Sequence, residues 1–122
     1  MSNSDIKYLR GQGHYIVSHT HTHRKLSMLS DTELQNELII SKDYLRKELG
    51  DCDTLVYPYG SSGEVNPRVR DFASEAGYEY AFLNTTKGFK KDGLFIPRIN
   101  MGNVATKSKF FGIIAGMNKL FR

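Results

Sequence analysis

The sequence predicts an α/β fold built on a parallel sheet. Short apolar runs alternate with helix-length stretches of 3.6-residue periodicity, and those stretches carry their own start and stop signals. Residues 4–11 read as a short helix closed by Gly11 or Gly13. Tyr15-Ile16-Val17-Ser18 reads as a buried strand. Ser30-Asp31-Thr32-Glu33 has the S-x-x-E spacing of a capping box, which satisfies free N–H groups at a helix start. The helix it opens carries Leu34, Leu38, Leu45 and Leu49 close to one face, and Gly50 can terminate it. Thr54-Leu55-Val56-Tyr57 is a second strand, followed by the turn Pro58-Tyr59-Gly60 and a loop rich in Gly and Ser. Asn66-Pro67 offers an N-cap and an N1 proline to the next helix. There Val69, Phe72, Ala73 and Ala76 follow the i, i+3, i+4, i+7 pattern, and Gly77 closes it. Tyr80-Ala81-Phe82-Leu83 is a third strand, Leu94-Phe95-Ile96 before Pro97 a fourth, and residues 106–121 a last, amphipathic helix. The expected architecture is therefore about four parallel strands with flanking helices.

Composition narrows the function classes. The chain has 122 residues, 39% hydrophobic and 25% charged, enough for one domain with one modest core. Its net charge is +4 and its pI near 9.2, but the basic residues are spread along the chain, which reads as solvated surface and argues against a nucleic-acid partner. The single cysteine, Cys52, cannot form an internal disulfide and is expected to be inert. The start, Met1-Ser2-Asn3-Ser4-Asp5, is polar and shows no signal peptide, and no apolar run approaches the ~18 residues of a membrane span. As given, the chain reads as soluble and cytoplasmic. In the last helix Phe110, Ile113, Ile114, Met117, Leu120 and Phe121 share a face, with Lys107, Lys109, Lys119 and Arg122 around it. That stripe is expected to pack on the domain, with peripheral contact to an anionic membrane as the alternative.

The chemistry concentrates in His19-Thr20-His21-Thr22-His23, directly after the first strand. Neutral imidazole is the commonest metal ligand, so three histidines in five residues suggest zinc or another divalent metal. In parallel α/β folds ligands gather at the carboxyl ends of strands, where both this cluster and Pro58-Tyr59-Gly60 fall. An extended segment would place His19, His21 and His23 on one face, as in a three-histidine site. A curled segment would join His19 to His23 at i, i+4 and turn His21 away, leaving a further ligand to be found, most simply a carboxylate. Spacing does not choose between the two, and histidines that hold no metal are the third possibility. His14 stands apart and is expected to be structural.

Gly13-His14-Tyr15-Ile16-Val17-Ser18-His19-Thr20-His21-Thr22-His23 resembles the second motif of the polysaccharide deacetylases, the NodB-homology family-4 carbohydrate esterases. That motif runs G-H-x-I-x-S-H-S/T-x-S/T-H, and the first and last histidines of its H-S/T-x-x-H core bind the metal. The resemblance assigns those roles to His19 and His23 and favours the curled geometry. Val56-Tyr57-Pro58-Tyr59-Gly60 is similar to the third motif, which lines the substrate groove. By the same resemblance the Tyr59 backbone N–H is the oxyanion donor, and Pro58, Tyr59 and Gly60 contact substrate. Arg98 is the further substrate-site candidate, expected to pair with a carboxylate in the cavity, with a plain surface arginine as the alternative. Gly77-Tyr78 and Phe95-Ile96-Pro97-Arg98-Ile99 look like later segments of one branch of the family. The likeness spans roughly residues 5–100.

The departures from the family pattern are informative. The T-F-D-D motif, which supplies a base aspartate and a metal-ligand aspartate, has no match. Val56 stands where the third motif often has arginine, and no histidine follows His23. The resemblance thus implies a partial, distorted TIM-like (β/α) barrel over residues 1–103, with the helix of residues 104–122 packed on it. The implied function is metal-dependent hydrolysis of N- or O-acetyl groups on a polysaccharide or oligosaccharide, with zinc as the expected ion. The alternatives are a non-catalytic metal- or carbohydrate-binding remnant of that fold and, from another class, a basic membrane- or nucleic-acid-binding module.

Overall fold

The computed structural model describes residues 1–86, 92–99, 101 and 106–117, with residues 115–117 described in their backbone only. Leu120, Phe121, Lys119 and Arg122 of the expected C-terminal helix lie outside the described residues. Helix α1 (Asn3–Gly11) opens on a capping box between Ser2 and Asp5. A 3₁₀ turn (Leu26–Met28) leads into α2 (Asp31–Leu49), whose N-terminus carries the predicted Ser30–Glu33 capping box. Gly50 ends α2 in the left-handed region at φ 88°. Strand β1 (Thr54–Val56) precedes α3 (Pro67–Glu75), capped by the Asn66 side chain, which accepts from Val69 N at 3.0 Å. Strand β2 (Tyr80–Phe82) and helix α4 (Lys107–Met117) complete the order.

Strands β1 and β2 pair in parallel, with Leu55 opposite Ala81. Ser18 bridges β1 on its other side, donating from N to Thr54 O and accepting from Val56 N at 2.8 Å. Ile96 bridges Phe82 on the far side of β2. The order Ser18, β1, β2, Ile96 follows the sequence, and every pairing is parallel. Two of the four expected strands are thus single bridges. Pro97 has no N–H with which to extend the ladder past Ile96. Tyr15, expected in a buried strand, is 75% exposed, because only Ser18 finds a partner. What is described is a small open sheet, not a closed barrel.

Period-two alternation divides the sheet. Leu55 and Ala81 turn to the helices and are fully buried with Leu34 and Leu38 of α2 and Val69 and Ala73 of α3. Val17, Val56, Phe82 and Tyr80 turn the other way and, with Tyr15 and Arg98, line an open apolar concavity. A buried lysine ties the loops beneath the core. Lys42 Nζ donates to Cys52 O at 2.7 Å and Gly77 O at 2.6 Å and lies 4.4 Å from the Tyr78 ring centroid. Burial pulls this ammonium below the usual lysine range and pushes the Cys52 thiol up, the condition of an unreactive cysteine. In α4, Phe110, Phe111 and Ile114 are exposed, and of residues 107–114 only Ile113 is partly covered. Among the described residues no helix is long and apolar enough to cross a membrane.

Candidate metal and substrate site

Ser18, buried at the end of the first pairing segment, delivers the histidine loop to the carboxyl end of the sheet. His19 follows at once, its Nδ1 2.7 Å from the Val56 carbonyl oxygen. A carbonyl only accepts, so Nδ1 donates, and in the neutral ring the free lone pair is on Nε2. This is the arrangement that orients metal-ligating histidines: one nitrogen held by a carbonyl, the other offered to the ion. Beyond His19 the chain curls. Thr20 (φ 68°) and His23 (φ 60°) occupy the left-handed region, and the two imidazoles meet edge to face, centroids 4.7 Å apart. The curled geometry therefore holds, although the loop is a bend and not the helical turn that i, i+4 spacing suggested.

His21 does not join the pair. Its ring is exposed, while its N–H donates to Glu37 O at 3.1 Å. Among the described residues no three His, Cys, Asp or Glu side chains are grouped to hold one ion. His19 and His23 fit two positions of a metal site in donor chemistry and spacing, while a zinc site of the catalytic kind takes three protein ligands. His14 is exposed, and its N donates to Leu9 O at the end of α1.

The Pro58-Tyr59-Gly60 turn lies against the same histidines. Tyr59 stacks edge-on against His23, centroids 5.1 Å apart. Gly60 N donates back to Pro58 O at 2.6 Å, closing a three-residue turn with Tyr59 at its centre at φ 62°. Gly60, at φ 62°, donates no side chain to the crowding there: a Cβ would lie 2.5 Å from Asn84 N. Its carbonyl accepts from that same N–H at 2.9 Å, fastening the turn to the chain leaving β2. Among the described residues the Tyr59 N–H makes no hydrogen bond, as an oxyanion donor requires. Arg98 is exposed, and its Nε donates to Leu83 O at 2.7 Å. It lines the open sheet face, and among the described residues no carboxylate pairs with it.

Sequence reasoning missed Glu37. This carboxylate is 6% exposed on the apolar face of α2. It accepts from Thr22 N at 2.8 Å and, through its other oxygen, from the Thr22 hydroxyl. Burial raises its pKa, and these hydrogen bonds outweigh the effect, holding the carboxyl below the usual range. The signal was available: a charged residue three after Leu34 and one before Leu38 sits inside the hydrophobic stripe.

The geometry is that of an α/β domain whose strand ends bring two histidines and a tight turn together, the place where parallel sheets bind ligands. The polysaccharide deacetylase family profile matches residues 1–81, two thirds of the chain, and the chain belongs to that family. Among solved structures it is similar to the Streptococcus pyogenes deacetylase PplD in complex with acetate, with a TM-score of 0.78 and 21% identity. The match covers 93% of this chain and 50% of that one, so this chain spans half the length of the streptococcal protein. No curated protein matches it.

Proposed function

We propose that this chain carries the histidine half of a metal-dependent deacetylase acting on N- or O-acetyl groups of a polysaccharide. The observation that carries the reading is the His19–His23 pair, with Nδ1 of His19 held by Val56 O, facing the Pro58-Tyr59-Gly60 turn. His19 and His23 would hold a divalent ion, with zinc the expected one. Such an ion, when bound, supplies Lewis acidity: it lowers the pKa of water and polarises a carbonyl. The Tyr59 N–H would donate to the oxygen that gains charge as an acetyl group is attacked. Pro58, Tyr59 and Gly60 would wall the substrate groove, and Arg98 would bring a positive charge to the carboxyl end of β2. The barrel reading belongs to this proposal: three parallel pairings that join four segments in sequence order are what one side of a (β/α) barrel contains.

The experiment is zinc titration by calorimetry alongside acetate release from an acetylated glucosamine oligomer and an acetylated xylan. Zinc binding that His19→Ala and His23→Ala each abolish, together with acetate release, is the expected result. The absence of histidine-dependent zinc binding overturns the metal reading. The two-histidine ligand set favours a second reading, a metal- or carbohydrate-binding remnant without turnover. Stoichiometric zinc with no acetate released selects it.

A further inference from the structure

We propose that Glu37 is the positioning residue of this site: it holds the loop between His19 and His23 in the curl that brings their rings together. The inference rests on reading those histidines as metal ligands, and extends it to a residue that touches neither ring. Helix α2 serves as the template. The Glu37 main-chain oxygen accepts from His21 N at 3.1 Å, and one carboxylate oxygen accepts from Thr22 N at 2.8 Å. The other oxygen takes the Thr22 hydroxyl. One turn along α2, Ser41 Oγ lies 2.9 Å from Ser18 Oγ, which accepts from Thr20 N at 3.3 Å. Every backbone N–H from Thr20 to Thr22 is thus bound directly to α2 or to a hydroxyl that α2 holds.

Two physical facts give Glu37 the larger part. An ionised carboxylate at 6% exposure is expensive without compensation, and among the described residues Glu37 has no ion-pair partner. Its charge is balanced by donors from this loop, so the burial of Glu37 and the shape of the loop depend on each other. The loop also has a cheaper alternative. In an extended strand, residues four apart are separated by about 13 Å, whereas here the two rings are 4.7 Å apart. Left-handed backbone at Thr20 and His23 is the cost of closing that distance, uncommon for any non-glycine residue and most unfavourable at β-branched Thr20.

The test compares the full chain with Glu37→Ala, Glu37→Gln and Thr22→Val, read by zinc calorimetry and by NMR of the metal-free protein. Glu37→Ala is expected to weaken zinc by about 10–100-fold, the usual cost of losing a group that orients a ligand. It is also expected to remove the NOE between the His19 and His23 rings and the exchange protection of the Thr22 amide. Gln can accept from the Thr22 N–H and donate to its hydroxyl, so Glu37→Gln is expected to restore both readouts. Thr22 is exposed, so Thr22→Val keeps the fold even if Glu37→Ala disturbs it, and is expected to weaken zinc several-fold. Wild-type zinc affinity in Glu37→Ala and Thr22→Val, with the ring NOE intact, overturns the proposal. If the wild type binds no zinc, the metal reading fails, while the NOE and amide exchange still decide the role of Glu37.

Discussion

Four described glycines with positive φ are not equivalent, and comparing Gly60→Ala with Gly50→Ala tests whether the Tyr59 turn is built as described. Both positions are left-handed, at φ 62° and 88°. That conformation costs an L-residue roughly 1–2 kcal/mol. At Gly50 nothing lies within 4 Å of the added methyl, so the backbone term is the whole cost. At Gly60 the methyl meets Asn84 N at 2.5 Å, Asn84 Cβ at 2.9 Å and the Leu83 carbonyl carbon at 3.2 Å. Comfortable contacts need about 3.5 Å or more, so the chain leaving β2 must move by about 1 Å. Overpacking of this kind costs about 1–3 kcal/mol. The shift also breaks the Asn84 N–H to Gly60 O bond, for about another 1 kcal/mol. Gly60→Ala is thus expected to cost roughly 3–6 kcal/mol, a large part of the ~5–15 kcal/mol that holds a domain together. The assay is urea unfolding of both variants, read as midpoint shifts at constant m. Equal losses for the two variants would refute the reasoning, since the turn would then have room to relax.

Two further outcomes are expected. Lys42→Met keeps the bulk against Tyr78 but takes the donor from the Cys52 and Gly77 carbonyls, and should cost about 1–3 kcal/mol; a loss under about 0.5 kcal/mol by urea unfolding removes the idea that this lysine clasps the two loops. Hydrogen bonds hold Asp5, Glu33, Glu37 and Glu64 below their ordinary values of 3.8 for Asp and 4.5 for Glu. A depressed carboxylate pKa means that the unfolded chain binds protons first as pH falls. Its stability is full above the ordinary value and is lost as pH drops through the folded one. The urea midpoint should therefore be level from neutral pH to about pH 5 and fall below it, less steeply in Glu33→Gln; an identical slope in that variant counts against the capping box.

What could be read from the sequence was local. The Ser30–Glu33 box and Gly50 delimit α2, and Asn66-Pro67 starts α3, because caps act through neighbours in the chain. The sheet was harder to read, since pairing depends on distant residues. Tyr15-Ile16-Val17 has strand composition, yet Ser18 alone finds a partner there. The same limit applied at the site. The spacing of His19 and His23 left extended and curled forms open, and the family resemblance pointed to the curl. The means of curling was not visible, because threonine and histidine do not announce positive φ as glycine does. Glu37 was legible only as an anomaly, a charge in an apolar stripe whose purpose lies fifteen residues away at Thr22.

Backbone strain ties these observations together. Among the described residues the non-glycine positions with positive φ are Thr20, His23 and Tyr59. All three belong to the site, and each has a restraint that explains its persistence. Thr20 donates to Ser18 Oγ, His23 packs between His19 and Tyr59, and Tyr59 is bracketed by the Gly60-to-Pro58 bond. Strained residues persist only where their surroundings over-determine them. Here the surroundings are α2 on one side and the chain leaving β2 on the other, both anchored in the core through Leu38 and Leu83. The loop hydrogen bonds and the ring contacts of His23 thus place both imidazoles without an ion, as the proposed metal site would require. A site prepared in this way loses less entropy on binding than one that must order itself around its ligand.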